Sequence, residues 1–115
     1  MKAYTDLEQS KILAEILPIE SADGYWFKGF PPQPYMVYTK GTYNPGEHIP
    51  CWSLASLLEI IRKPTAFDLL IDGRGYRCHC RDKQEGKFYG TDDYCDTPID
   101  ACTEVILKLH ERKLL

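Results

Sequence analysis

The stretch FDLLIDGRGYRCHCR, residues 67–81, decides how this chain is read. Phe67 to Ile71 is a short apolar run, Asp72-Gly73 is a strong two-residue turn signal, and Gly75 to Arg81 reads as a returning strand. Together they predict a β-hairpin. Side chains on a strand alternate between its two faces. Tyr76, Cys78 and Cys80 therefore share one face, and Arg77, His79 and Arg81 share the other. Cysteine is among the most buried residue types and arginine among the least, so the thiols belong inside and His79 points away from them. A Cys-His-Cys metal site here would need a broken strand, because structural zinc pairs are set further apart, in a turn that aims both sulfurs at one ion. The alternation predicts a strand and no metal.

Amphipathic helices surround the hairpin. The first starts near Thr5, where Thr5-Asp6-Leu7-Glu8 has the form of a capping box. Leu13, Ile16 and Leu17 continue its apolar stripe with Ile12 beside it, Ser10, Lys11 and Glu15 take the wet side, and Pro18 ends it. The second helix is predicted from about Pro50 to Arg62, with Leu54, Leu57, Leu58 and Ile61 in one stripe and Pro50 in the first turn. The last opens at Thr97-Pro98, an N-cap followed by proline at the first helical position, and buries Cys102, Val105, Ile106 and Leu109.

Tyr25 to Lys28 and Tyr35 to Tyr38 predict two strands between the first two helices. Pro31, Pro32 and Pro34 make the connection a loop, and Gly41 with Asn44-Pro45-Gly46 marks a second turn. Lys87 to Tyr89 adds a short strand after the hairpin. The order is α-β-β-α-β-β-α, and the class is α+β: three amphipathic helices packed on a small antiparallel sheet. LAEILPIESADGYWFK and LLEIIRKPTAFDLLID agree loosely in order and spacing, which is consistent with an α-β-β duplication.

Composition bounds the rest. A chain of 115 residues fits one domain, residues 1–115. A formal net charge of -3 argues against nucleic acid as the partner. No apolar run reaches the roughly 18–20 residues of a membrane span. Asp6, Glu8 and Lys11 interrupt the segment a secretory signal would need. The expected compartment is the cytoplasm, where thiols stay reduced, and five cysteines, an odd number, fit poorly with a disulfide framework.

Four features could carry chemistry. Cys51 falls in the predicted first turn of the second helix, where the dipole lowers a thiol pKa, and His48 is close enough in sequence to act as its base. No orienting third residue accompanies them, so packing is the simpler role. Cys78, Cys80, Cys95 and Cys102 could converge as a four-thiolate zinc site, although Cys102 lies on a core stripe. Arg74, Arg77, His79, Arg81, Lys83 and Lys87 give the hairpin a basic side that could meet an acidic protein or a phosphate backbone, or more simply be its solvated face. The stretch from Tyr25 to Tyr43 concentrates aromatic residues and prolines of the kind that line partner grooves.

YTDLEQSKILAEILPIESADGYW, IPCWSLASLLEII and DACTEVILKLHERKLL carry a further signal. They resemble a group of small proteins found in prophages and mobile elements of gut bacteria, over about half the chain. The shared pattern is a LAEILP-ESAD helix exit, a PCWSLA-LL helix start and an ILKLHE last helix. The resemblance implies a cytoplasmic, accessory, non-enzymatic protein, and it transfers no activity, cofactor or catalytic residue. The reading is therefore a small non-catalytic interaction module that binds a protein partner through its aromatic and proline-rich stretch together with Trp52, with Tyr25, Trp26, Phe30, Tyr35, Trp52, Arg77, His79 and Arg81 as candidate contacts and no cofactor. The alternative is a thiol- or zinc-dependent protein built on Cys51 or on Cys78, Cys80 and Cys95. Oligomeric state is not legible.

Overall fold

The hairpin forms, longer than the turn signals suggested. In the computed structural model, which describes residues 2–28, 34–35 and 43–115, β4 (Thr65–Asp72) and β5 (Gly75–Asp82) pair antiparallel along their whole length. The loop is Gly73-Arg74 rather than Asp72-Gly73, and Asp72 closes it against Gly75. Gly75 accounts for the difference. Its φ is +130°, and a Cβ there would stand 2.5 Å from the Cys95 carbonyl oxygen, so only glycine fits the closing position. Moving a two-residue loop by one position moves every partner by two. The face assignment read from the alternation therefore survives the correction.

The chain divides into two compact units, Lys2–Ser56 and Leu57–Leu115. In the second unit β5 is the middle strand of a three-stranded antiparallel sheet, between β4 and β6 (Phe88–Gly90). An isolated bridge joins Tyr76 to Cys95, each donating its amide to the other's carbonyl, at 2.9 and 2.8 Å. Helix α3 (Pro98–Glu111) starts as expected: Thr97 is the N-cap, and its hydroxyl accepts from the Asp100 amide at 3.1 Å. Its stripe of Ile99, Cys102, Val105, Ile106 and Leu109 is buried, and the helix packs on β5 and β6. Cys78 and Cys80 are buried on the same side of the sheet, as the alternation required.

In the first unit, α1 (Leu7–Ala14) is capped one residue later than expected. Asp6 is the N-cap, and Gln9 completes the box: the Gln9 amide donates to Asp6 Oδ1 at 2.8 Å while Gln9 Oε1 accepts from the Asp6 amide at 3.0 Å. Thr5 is released for a deeper role. It is fully buried, its amide donates to the Trp52 carbonyl at 2.9 Å, and its hydroxyl accepts from the Trp52 amide at 3.1 Å. Ser10, expected on the wet side, is buried against it, with the two hydroxyls 2.7 Å apart. A buried hydroxyl needs a partner, and each of these supplies the other's. Lys11 and Glu15 are exposed as expected, whereas Ile12, read beside the apolar stripe, is exposed as well.

β1 (Gly24–Phe27) lies between β2 (Pro34–Tyr35) and β3 (His48–Cys51) in a second antiparallel sheet of three strands. The expected strand residues from Met36 to Tyr38 and the Pro31-Pro32 loop lie outside the described residues. β3 is a correction: Pro50 and Cys51 belong to a strand, and α2 (Leu54–Arg62) begins only at Leu54. Ser53 starts that helix, its hydroxyl accepting from the Ser56 amide at 3.3 Å. The expected α+β class holds and the order of elements matches in outline, with β3 added before α2 and the strands gathered in two small sheets. The middle strand is the first of its three in one sheet (β1) and the second in the other (β5), so the two α-β-β stretches differ in strand order.

Thr5→Val keeps the volume near Trp52 but removes the hydroxyl. Leaving the buried Trp52 amide unpartnered, and the Ser10 hydroxyl with only the Thr5 carbonyl at 3.3 Å, is expected to cost about 1–3 kcal/mol, read as a lower urea midpoint. Thr5→Ser retains most of the stability. A Thr5→Val protein with wild-type stability would mean that Thr5 does not organise this end of the chain.

Candidate functional site

Each candidate residue is placed by its strand. On β1, Tyr25 and Phe27 share a face with their partners Pro50 and His48, while Trp26 faces the other way with Ile49. His48 is buried. Tyr25 stacks on its ring at a centroid distance of 4.2 Å, and Phe27 meets it edge-on at 4.7 Å. Its Nδ1 accepts the Asn44 amide at 2.8 Å, which places the ring proton of the neutral form on Nε2. Trp26 is half-buried and tied down, its indole N–H donating to the Thr5 carbonyl at 3.1 Å. Phe30 and the Tyr35 side chain lie outside the described residues.

Trp52 was expected at a binding surface and is instead fully buried. Its indole N–H donates to the Ser21 hydroxyl at 3.0 Å, so its polar edge is also engaged inside the unit. It is a core residue and cannot touch a partner in this fold.

The Cys51–His48 pairing also fails on geometry. Cys51 is in a strand, so no helix N-terminus acts on it, and an odd separation along β3 turns the two side chains to opposite faces. The nearest influence is the wrong sign for a nucleophile. The Asp23 carboxylate is fixed by the Ser53 amide at 2.8 Å and by the Ser53 hydroxyl. Burial first, and then that negative charge, push the Cys51 thiol up to about 12. Cys78 is likewise held far above the usual thiol range, first by its hydrogen bond with Cys102 and then by burial. Burial carries Cys80 to about 11. Cys95 is only half-buried, and its sulfur lies 3.9 Å from the Asp93 carbonyl oxygen. Among the described residues, no group of three or more histidine, cysteine or acidic side chains is arranged to hold a metal ion. Neutral, buried thiols are packing groups.

What remains is the outer face of the β4–β5–β6 sheet. Register sets its rows: Arg81 lies between Ala66 and Phe88, His79 between Asp68 and Gly90, and Arg77 opposite Leu70. Gly90 leaves room that a side chain would close, since a Cβ there would lie 2.9 Å from His79 Cδ2. Arg77 is anchored, donating to the Thr91 carbonyl at 3.1 Å with its guanidinium 5.2 Å from the Tyr94 ring centre. Arg74 also lies over that ring, at 4.4 Å. Lys83 donates to the Arg62 carbonyl at 2.9 Å, and Lys87 pairs with Glu85 at 3.2 Å. Arg81 is exposed and has no ion pair among the described residues.

Two apolar residues, not weighed as contacts in the sequence, dominate this face. Phe88 is 79% exposed and Leu70 43% exposed. The face of Phe88 follows from the register: with Tyr89 directly opposite the inward Cys80, alternation puts Phe88 outside. Shallow depressions run on either side of His79, one reaching Ala66, Asp68, Arg81 and Phe88, the other Arg77, Gly90 and Thr91. Comparison with protein-family models, with curated proteins and with solved structures finds no match.

The thiols make a testable pH dependence. Burial raises the folded-state pKa of Cys51 and Cys80 above the unfolded value of about 8.5. Their stabilising contribution is therefore complete below about 8.5 and is lost as the pH climbs through about 11 for Cys80 and about 12 for Cys51. Urea midpoints measured between pH 7 and pH 10 should fall, and the fall should be shallower in Cys51→Ala than in wild type when each is referred to its own value at pH 7. Identical slopes would mean that Cys51 titrates as an exposed thiol.

Proposed function

We propose that the protein is a small, non-catalytic accessory module that works in the cytoplasm and binds a protein partner through the outer face of β4, β5 and β6. The observation that carries this reading is Phe88, a large aromatic side chain 79% exposed on a regular sheet beside the exposed cation of Arg81. An aromatic anchor next to an arginine, with Leu70 as a second apolar contact, has the composition of a binding hot spot. A single exposed phenylalanine is ordinary on a surface. One that shares a face with Leu70, His79 and Arg81 offers an apolar seat and a charge together.

The chemistry of the face selects the partner class. Arg81 and His79 favour an acidic segment, and Phe88 and Leu70 favour one with an apolar side chain beside the acid. Asp68 stands in the middle of the same face, opposite His79, and the chain as a whole carries -3, both of which oppose a phosphate backbone. The aromatic and proline stretch contributes less to this reading than the sequence suggested, because Trp52 is internal and Trp26 is bound to Thr5. No helix is long and apolar enough among the described residues to cross a membrane. The likeness to prophage and mobile-element proteins supports an accessory role.

The test compares immobilised wild type, Phe88→Ala and Arg81→Glu as baits for host-cell extract, with captured proteins quantified by mass spectrometry. A true partner is retained by wild type and depleted at least about tenfold on both variants, as loss of about 2 kcal/mol at a hot spot requires. Both substitutions are exposed and should leave the melting temperature unchanged. Equal capture by all three baits, or salt-dependent binding of the wild type to random DNA, would overturn the assignment.

A further inference from the structure

The edge of β4 carries an inference beyond the partner-binding face. The hydrogen bonds of β5 show which way each strand turns its backbone. Cys78 accepts from the Thr91 amide, Asp82 donates to the Lys87 carbonyl, and Tyr76 exchanges two bonds with Cys95. The even-numbered residues of β5 thus point their amides and carbonyls toward β6, and the odd-numbered ones toward β4. Given the register, Ala66, Asp68, Leu70 and Asp72 bond inward to β5, and Phe67, Leu69 and Ile71 aim their backbone groups at the outer edge. Among the described residues β4 pairs with no other strand.

This edge strand carries the exposed charge of Asp68 but few of the other usual protections. Thr65–Asp72 contains no lysine, arginine, proline or glycine, and it pairs with β5 through eight consecutive positions without a bulge. Ile71 is 70% exposed and Leu70 43% exposed, an apolar end on an open strand. We infer that β4 is a self-association edge, pairing antiparallel with β4 of a second copy to join the two sheets into one of six strands.

Charge selects the second copy and its register. In a two-fold pairing with odd residues bonded to odd residues, a crossing at residue 68 sets Asp68 against Asp68. A crossing at residue 70 sets Phe67 against Gly73, past the end of the strand. Like charges directly opposite oppose pairing. A crossing at Leu69 avoids both: Leu69 meets Leu69, Phe67 meets Ile71, Asp68 meets Leu70 and Ala66 meets position 72. Every apolar residue of the inner row then faces another, and the exposed Ile71 gains cover from Phe67 of the second copy. The strand is thus complementary to itself in one long register.

Sedimentation equilibrium of the full chain over a concentration series up to about 100 µM reads the outcome, since weak edge pairing falls in the micromolar range. Wild type is expected to dimerise. Leu70→Asp sets an aspartate opposite Asp68 of the second copy twice per dimer and should weaken association by about tenfold or more. Within its own sheet the new carboxylate faces Arg77, so folding is retained and circular dichroism should match wild type. Leu70→Asn, the same shape without the charge, avoids repulsion by the same Asp68 and by Arg77 in its own sheet and should dimerise clearly better than Leu70→Asp. A wild-type monomer at the highest concentration, or equal weakening by both substitutions, would overturn the inference. Neither result bears on Phe88 and Arg81, whose capture assay tests the face separately.

Discussion

β5 is hydrogen-bonded on both of its edges, and the C-terminal unit is arranged around that fact. Its odd residues bond to β4, and its even residues bond to β6 and to the bridge at Cys95. A strand held on both sides has no freedom to slip, because a shift by one residue would carry Cys78 and Cys80 to solvent and Arg77 and Arg81 into the core. The thiols pack inward on the side that α3 covers, and Cys102 on that helix is close enough to hydrogen-bond with Cys78. The same pinning fixes the opposite side. Arg77, His79 and Arg81 form a row on the outer face because the inner row is fully committed.

The N-terminal unit is organised differently, by a polar knot rather than a row of thiols. Thr5 bonds to Trp52 through both its amide and its hydroxyl, shares its hydroxyl with Ser10, and accepts the Trp26 indole at its carbonyl. One short residue thus joins the start of α1, β1 and the residue following β3. Buried polar networks of this kind specify a single arrangement when every member is satisfied, and penalise any other. Trp52 takes its place in the core because its backbone is claimed by Thr5 and its indole by Ser21.

Most of the secondary structure was legible because periodicity reports burial directly. The stripe of α3, its Thr97-Pro98 start and the in-out pattern of residues 76–81 all reappear in the structure. The errors share one cause: local chemistry was read where a long-range partner decides. Thr5 has the right form for an N-cap, but Trp52, 47 residues away, takes its hydroxyl and the cap passes to Asp6. Pro50 suits a helix start, yet pairing with Tyr25 makes it part of a strand. That one change removed the helix dipole from Cys51 and with it the case for a reactive thiol. The site was legible to the extent that faces were: Arg77, His79 and Arg81 lie outside as read. Phe88 was missed because a three-residue strand has too little pattern of its own, and its face follows only from its partner β5.

The two sides of the β4–β5–β6 sheet differ in chemistry. Catalysis by a thiol needs a cysteine whose anion is stabilised and reachable. Here the buried thiols are destabilised as anions, by the apolar interior and, at Cys51, by the neighbouring Asp23 carboxylate. The outer side places Asp68 opposite His79 and exposes an aromatic ring, an aliphatic side chain and a guanidinium on a stiff support. Side chains carried on such a regular sheet are held in place, so that little conformational entropy is lost when they are contacted. The regular pairing that buries the cysteines also supplies that rigidity. Core and surface thus follow from one strand register, and moving it would abolish both.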